Sequence, residues 1–350
     1  MKVGIVGNGG IVHPAIGAMQ KEGIAVNALW CRSEERGRPV AEQYHIEKVY
    51  TDYEEFLADE SFDTVYIALV NSAHFTYAKK ALEHDKHVIV EKPLVSSYDE
   101  AMELLDLASE RNRFLFEAIM LRYSANYDAI LKNLEKVGEI SLILANYSQY
   151  SSRYDAYLEG KVLPAFDPKL SGGALYDINV YNVHFMTGLF GAPRSSLYYA
   201  NKGFNGIDTS GVLIMDYGRF KCVCTGAKDS ASPSGITIQG NLGTITIPER
   251  PGFVHNVTFT DRKTHESEIL DVVQDENPMQ REFARIQEVI ANNDHRTASI
   301  WMNHSLQTMA VLDQARLDAG IVFGSDEEEN ETKENLMASM FAELRNKTKM

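Results

Sequence analysis

The chain of 350 residues is 44% hydrophobic and 24% charged, and its 34 basic against 49 acidic residues give a formal net charge of −15. This composition is typical of a globular protein, and the length predicts two domains that each bury a core. The net acidity argues against a nucleic-acid or membrane partner, because phosphates and lipid headgroups would be repelled over most of the surface.

The N-terminus enters a strand-like run at once, so it offers no signal-peptide pattern. No run approaches the about 20 uncharged apolar residues that span a bilayer. Three cysteines, Cys31, Cys222 and Cys224, are too few for a disulfide framework or a four-thiolate zinc site, and we predict no metal. These features together predict a reduced, cytoplasmic setting.

The first third of the chain alternates short apolar runs with segments of helical period. The predicted strands are residues 2–6, 25–30, 64–70, 87–90 and 114–116. Such β-α-β repetition predicts a parallel sheet, so we expect residues 1–121 to form one α/β domain.

After residue 121 the pattern changes to one helix and then many strands. The predicted strands are residues 140–150, 196–200, 211–217, 220–225, 235–239, 244–247, 254–260 and 267–272, with helices at 279–291 and 299–319. This predicts an α+β domain over 122–325, built on a large, mostly antiparallel open sheet. Residues 326–350 are predicted to be an acidic linker and a last helix.

The first chemical signal lies between the opening strand and the first helix, in Gly7-Asn8-Gly9-Gly10-Ile11-Val12. Glycines let the backbone turn sharply and approach a pyrophosphate, and the helix N-terminus supplies free N–H groups. Val12 stands at the third glycine position, and a plain tight turn would look similar. The β-α-β context nevertheless favours a dinucleotide-binding Rossmann domain over residues 1–121.

The end of the second strand carries the signal for cofactor choice. A carboxylate there would bind the ribose hydroxyl of NAD, but this chain has Cys31-Arg32-Ser33, followed by Arg36. Guanidinium groups suit a 2′-phosphate, so NADP is predicted, with NAD as the alternative. The competing explanation is that both arginines are surface residues paired with Glu34 or Glu35.

Two further signals come from different halves of the chain. Glu91-Lys92-Pro93 follows a predicted parallel strand, so Lys92 lies at the edge where open α/β sheets bind ligands. In a predicted helix from about Gly173, Asp177, Tyr181 and His184 fall at i, i+4 and i+7 on one stripe. The structural alternative is a buried tyrosine beside a satisfied aspartate and histidine.

These motifs, with Asn71-Ser72-x-His74 and Glu117-Ala118, resemble the glucose-fructose oxidoreductase and inositol dehydrogenase family over about residues 1–325. Phe166-Asp167-Pro168, Leu189-Phe190-Gly191 and Tyr181 in place of a catalytic histidine resemble the branch of dihydrodiol dehydrogenases and NADP-dependent sugar dehydrogenases or reductases. Asn179, Asn182 and His184 depart from that branch, as does Val12, which is expected to crowd the phosphate turn.

The resemblance implies a role for each matching residue. Lys92 is expected to be catalytic, Tyr181 to be the acid or base, and Asp177 to be its partner. The residues expected to bind the cofactor are Gly7, Asn8, Gly9, Gly10, Ile11, Arg32, Ser33, Arg36, Asn71, His74, Glu91 and Lys92.

The predicted reaction is hydride transfer between nicotinamide C4 and a hydroxyl or carbonyl carbon of a sugar, polyol or related cyclic compound. Lys92 and Tyr181 would handle the proton, with the Lys92 ammonium favouring the Tyr181 phenolate. The second domain should bind the substrate, through Arg122, Tyr150 and His184. The alternative function is a non-catalytic sensor of the same fold, which would bind a dinucleotide and regulate a partner.

The open sheet also predicts self-association. An uncovered sheet face is a candidate subunit interface, so we expect a homodimer or homotetramer through that face, alongside the small-molecule substrate.

Overall fold

The computed structural model describes residues 1–273 and 277–326, and its first half is built on a six-stranded sheet in the order β3-β2-β1-β4-β5-β6. Every pairing in this sheet is parallel. The strands are β1 (Lys2–Val6), β2 (Ala25–Trp30), β3 (Lys48–Tyr50), β4 (Thr64–Ile67), β5 (His87–Glu91) and β6 (Leu115–Ala118). The order reverses between β1 and β4, and the carboxyl edge at such a reversal is where this architecture binds ligands.

Helices connect the strands of this sheet as parallel pairing requires. They are α1 (Val12–Lys21), α2 (Glu34–Tyr44), α3 (Tyr53–Leu57), α4 (His74–Glu83) and α5 (Tyr98–Glu110). A capping box between Ser97 and Glu100 begins α5, which limits the loop after Lys92 to a few residues.

The second half contains an eight-stranded sheet in the order β14-β13-β12-β11-β7-β10-β9-β8. The strands are β7 (Ile140–Ser148), β8 (Ser195–Lys202), β9 (Asp208–Asp216), β10 (Lys221–Ala227), β11 (Gly235–Gly240), β12 (Gly243–Ile247), β13 (Thr258–Asp261) and β14 (Ser267–Ile269). All pairings are antiparallel except that of β7 with β10. The predicted fold class is therefore confirmed.

Helices of the second half cover one face of the eight-stranded sheet, and α9 packs against the first half of the chain. They are α6 (Ala125–Asn133), α7 (Tyr154–Leu158), α8 (Val180–Phe190), α9 (Pro278–Ala291) and α10 (His295–Asp318). A π-helical turn, Leu175–Asn179, precedes α8, where a regular helix was predicted. Met279 and Phe283 of α9 share a core with Ile16 and Met19 of α1, so the C-terminal helices also stabilise the first half.

The other face of the second sheet is exposed. Leu144 of β7 is 43% exposed, and Leu197 and Tyr199 of β8 are 45% and 61% exposed. Strands β10 and β9 lie between β7 and β8, and Leu144 and Leu197 fall in one cross-strand row. Strand β8 forms one edge of the sheet.

Several expectations remain predictions. The domain boundaries at 121 and 325 are not tested by the fold, and the predicted linker and last helix lie, beyond Asp326, outside the described residues. No helix within residues 1–273 and 277–326 combines the length and apolar content needed to cross a bilayer.

Candidate active site

A cavity of about 960 Å³ lies at the carboxyl edge of the first sheet and extends to the π-helical turn of the second half. Most residues predicted to bind cofactor or to take part in catalysis line it. These are Gly7, Asn8, Gly9, Gly10, Ile11, Arg32, Ser33, Arg36, Asn71, Glu91, Lys92, Asp177 and Tyr181. Residues as far apart in the sequence as Gly7 and Tyr181 therefore share one cleft.

The glycine turn forms one wall of this cavity. Gly7 has φ +115°, and a Cβ there would lie 2.4 Å from the carbonyl oxygen of Ala68, so a side chain is excluded. A Cβ added at Gly9 or Gly10 would meet nothing within 4 Å, so the backbone of both residues is open to the cleft. The expectation that Val12 crowds this turn is wrong, because its side chain is fully buried in the core. The turn thus has room for a pyrophosphate.

Arg32 and Arg36 are exposed at the far end of the cavity, where β2 ends and α2 begins. Glu34 forms its ion pair with Arg38, not with either of these two arginines. Glu35 also lines this end of the cavity. Two guanidinium groups and one carboxylate therefore share this end of the cavity.

Asp177 is shared between two lysines. Nζ of Lys92 donates to the Asp177 carbonyl oxygen at 2.6 Å and to Oδ1 at 3.1 Å, while Nζ of Lys228 lies 2.7 Å from Oδ2. Lys228 follows β10, is almost fully buried, and also donates to the Ala165 carbonyl at 2.6 Å. Sequence analysis missed Lys228, because only the tertiary fold brings the end of β10 to this helix.

The electrostatics of the site favour the ionised forms of Asp177 and Lys92. Burial opposes ionisation of Asp177, but Lys92 and Lys228 outweigh it and hold the pKa of its carboxyl well below the usual range. Burial also opposes the charge on Lys92, but Asp177 and Tyr181 raise its pKa above the ordinary value. Lys92 is therefore a fixed ammonium group, and its direction is set by Asp177.

Tyr181 lies beside that ammonium group. Nζ of Lys92 is 5.1 Å from the centre of its ring, and Tyr147 packs edge-on against the ring with centroids 5.8 Å apart. Burial raises the pKa of Tyr181 well above the ordinary value, and Lys92 offsets this only in part. Lys92 thus favours the phenolate, as expected, but the effect of burial is larger, so the net shift in the pKa of Tyr181 favours the neutral phenol in the free protein.

The start of the helix that carries these residues is held by Asp208. Its Oδ2 accepts a hydrogen bond from the backbone N–H of Leu175 at 2.6 Å. Gly173, at φ +101°, leaves space for that carboxylate, since a Cβ would lie 2.1 Å from Oδ1. Asn179 and Asn182 donate from this segment to the carbonyls of Cys224 and Thr225 on β10, so they fix the helix on the sheet.

Four predicted site residues do not line the cavity. His74 is fully buried, with Nδ1 at 2.9 Å from the Pro93 carbonyl oxygen, so it supports the loop after Lys92. His184 is also buried, because one turn after Tyr181 the helix runs into the interior towards Glu117. These two predictions of direct contact are corrected.

The other two residues lie elsewhere in the second half. Arg122 packs by Gly188 and Tyr127 and is half-buried. Tyr150 is 44% exposed and donates to Oδ1 of Asp155 at 2.5 Å. Neither belongs to the wall of the cleft, which is instead completed by Arg153, Pro164, Ala165 and Leu170.

Helix α9 adds two lining residues that sequence analysis did not select, Met279 and Glu282. The sequence did hold a signal for Glu282, because this carboxylate lies between Met279 and Ile286 at helical spacing on an apolar stripe. All three residues are buried in the structure.

Comparison with known proteins places this geometry in context. The family model described as an oxidoreductase family with an NAD-binding Rossmann fold matches residues 1–119. The scyllo-inositol 2-dehydrogenase (NADP(+)) of Bacillus subtilis is 33% identical over 311 residues, which cover 87% of this chain and 93% of that protein. The D-xylose 1-dehydrogenase (NADP(+)) 2 of Haloferax volcanii is 32% identical over 225 residues, 62% of this chain and 67% of that protein.

A solved structure shows the same fold. A 3-ketoreductase from Actinomadura kijaniata, crystallised with NADP and TDP-benzene, superposes with a TM-score of 0.80 over 91% of this chain and 97% of that chain, at 21% identity. The 33% identity to the inositol dehydrogenase extends over nearly the full length of both chains and confirms the family resemblance. The chain belongs to the glucose-fructose oxidoreductase and inositol dehydrogenase family, GFO_IDH_MocA, and is an NAD(P)-dependent oxidoreductase.

Proposed function

We propose that this protein uses NADP to transfer a hydride between the nicotinamide and a hydroxyl or carbonyl carbon of a sugar, polyol or related cyclic compound. The observation that supports the proposal is the meeting of Lys92, Asp177 and Tyr181 in the same cleft as the glycine turn. A hydride transfer needs a proton donor and a stabiliser of developing negative charge next to each other, and these residues supply both.

Residues along the length of the cleft match the chemical groups of NADP. The backbone of Gly9 and Gly10 and the N-terminus of α1 would hold the pyrophosphate, and Arg32, Ser33 and Arg36 the 2′-phosphate. Asn71 would flank the nicotinamide half, since its side chain donates to the Ser171 carbonyl at 2.7 Å across the cleft. When bound, the cofactor supplies or accepts the hydride.

In the direction of carbonyl reduction, Tyr181 donates a proton to the substrate oxygen. Its raised pKa keeps the phenol protonated at neutral pH, which suits a donor. Lys92 carries no proton to the product in this scheme. Its ammonium group, aimed by Asp177, stabilises the negative charge that develops on the substrate oxygen and on Tyr181.

The substrate side of the cleft is polar. Asp177 keeps 35% of its side chain exposed although both its oxygens face lysines, so it can also accept a hydrogen bond from a substrate hydroxyl. The guanidinium of Arg153 and the ring of Tyr181 offer further contacts. Relatives named for scyllo-inositol and D-xylose support a polyol or sugar as substrate class.

A substrate panel that follows the absorbance of reduced nicotinamide tests the proposal. We expect turnover with at least one inositol or aldose in the presence of NADP, and loss of that turnover in Tyr181→Phe. Tight NADP binding without turnover on any polyol, sugar or ketone would instead favour the sensor alternative. The presence of Lys92, Asp177 and Tyr181 together argues against that alternative, because a sensor has no use for proton transfer.

The exposed face of the second sheet supports assembly into a homodimer or homotetramer. Leu144, Leu197 and Tyr199 would be covered in such an assembly. Cys31, Cys222 and Cys224 are free and buried, which is compatible with the expected cytoplasmic setting.

A further inference from the structure

Glu282 is the most unusual charged residue of the cleft. Its side chain, on α9, is fully buried, and it lines the cavity. Neither carboxyl oxygen has a hydrogen-bond partner within residues 1–273 and 277–326. Burying a polar group without a partner is unfavourable, so such a group in a ligand cleft indicates that a ligand completes it.

The position of Glu282 identifies the end of the cleft to which it belongs. It is close enough to Glu91 and Glu117 for their charges to act on it, and these residues lie at the carboxyl ends of β5 and β6. Lys92 follows Glu91 directly. Glu282 therefore belongs to the end of the cleft where hydride transfer takes place, and not to the end of Arg32 and Arg36.

The protonation state of Glu282 defines what it can bind. Burial raises its pKa well above the usual range, and the nearby carboxyl groups of Glu91 and Glu117 raise it further. This shift favours the uncharged carboxylic acid, which offers one donor and one acceptor in a plane. A primary carboxamide offers the same pair in reverse order. The two groups can form two hydrogen bonds without burying a charge.

We propose that Glu282 is the group that binds the carboxamide of the nicotinamide ring and thereby sets the orientation of that ring. The proposal rests on the proposed function, since it requires the nicotinamide to lie beside Lys92 and Tyr181. It makes Glu282 a residue for recognition and positioning of the cofactor, contributed by the C-terminal half of the chain.

Calorimetric titration with two oxidised cofactors tests this assignment without any turnover. The cofactors are NADP and its 3-acetylpyridine analogue, in which a methyl group replaces the amide nitrogen. The unchanged protein should bind the analogue about 3-fold to 10-fold more weakly, the value of one lost neutral hydrogen bond. Glu282→Gln should keep this preference, because an amide also pairs with an amide. Glu282→Leu should bind both cofactors equally.

Arg36→Ala is the matched control. Arg36 lies at the other end of the cleft, so its removal should weaken the binding of both cofactors by the same factor and leave the ratio of the two affinities unchanged. Equal affinities in the unchanged protein would overturn the assignment, as would an unchanged ratio in Glu282→Leu. If Glu282→Leu does not fold, Glu282→Asp, which withdraws the carboxyl group by one methylene, must show a reduced ratio. If the unchanged protein binds neither cofactor, the proposed function fails as well.

Discussion

Oε2 of Glu117 lies 3.1 Å from Nε2 of His184, and the two side chains are only 1% and 2% exposed. Oε1 of the same carboxylate accepts the backbone N–H of Leu94 at 2.9 Å, two residues after Lys92. His184 is three residues after Tyr181 on α8. Glu117 therefore connects the loop after Lys92 to α8, which carries Tyr181, and this connection is buried.

Removal of His184 should be costly for stability. In His184→Ala the buried Oε2 of Glu117 loses its nearest polar neighbour, and leaving a buried polar group short of a partner costs about 1–3 kcal/mol. Urea unfolding at pH 7 should show the loss as a lower midpoint. The double variant Glu117→Gln/His184→Ala leaves no buried charge and should be more stable than His184→Ala. A less stable double variant would contradict this explanation.

The same pair predicts a pH dependence. Burial raises the pKa of Glu117, but His184 and several hydrogen bonds lower it more, so the folded value is below the usual one. Stability from this carboxylate is therefore complete above the unfolded pKa of about 4.3 and is lost as pH falls through the folded value. The stability deficit of His184→Ala should accordingly be largest at neutral pH and shrink in acid.

Tyr181→Phe should lower turnover by about 100-fold to 10,000-fold, because the proton donor is lost. Lys92→Ala should also lose turnover, and its fold should survive since Lys228 still compensates the charge of Asp177. Calorimetry should show NADP binding largely kept in both. Tyr150→Phe, outside the cleft, is the matched control and should turn over normally. Normal rates in both active-site variants would remove the proposed mechanism.

Arg32→Ala and Arg36→Ala should each weaken NADP by about 10-fold and leave NAD nearly unchanged, since each removes a charge-assisted hydrogen bond to the 2′-phosphate. The measurement is the affinity of each variant for NADP and for NAD. Arg38→Ala, on the same helix but paired with Glu34, should change neither. Equal weakening of NADP and NAD would argue for a general structural effect in place of phosphate recognition.

Glu282→Gln should stabilise the protein in the absence of cofactor. The unfolded side chain ionises at about pH 4.3, whereas burial keeps the folded side chain protonated to higher pH. The folded state thus holds an extra proton, and stability falls as pH rises through that interval. The gain in melting temperature on substitution should be small at pH 4 and larger at pH 8. A gain that is independent of pH would contradict a raised pKa.

Leu144→Asp should weaken self-association, because it places a charge in the middle of the exposed sheet face. Light scattering should give a mass above one chain for the unchanged protein and a lower mass for the variant. Leu131→Asp, at a 50% exposed position on α6, should leave the mass unchanged. A single-chain mass for the unchanged protein would refute the interface.

The strands with a clear apolar pattern were predictable, because the burial of their side chains follows from the local sequence. Strands β1 and β2 were predicted with the bounds that the structure has, and β5 to within one residue. Strand β3 was missed because three residues, Lys48–Tyr50, carry no measurable alternation. The apolar run 254–260 predicted a longer strand than β13, because Val254 and Val257 are buried in the core outside the strand.

The cleft was predictable only in part. Lys92, Asp177 and Tyr181 could be selected, since each is anchored to a motif or a strand end. The stripe argument failed for His184, because spacing along a helix gives a direction and does not say whether the cleft or the core lies there. The place of Lys228 in the cleft depends on contacts between distant segments, which no local pattern encodes, whereas Glu282 carried a local signal on its apolar stripe that did not say what the stripe packs against.

Helix α9 has one more consequence for how this chain can be divided. Met279 and Phe283 fill the space beside Ile16 and Met19, although some 260 residues separate the two helices along the chain. A fragment that stops at residue 121 would leave that apolar surface bare and would lack Glu282. We therefore expect that the first half does not fold as an autonomous module, and that a chimera that exchanges it between relatives should carry α9 with it.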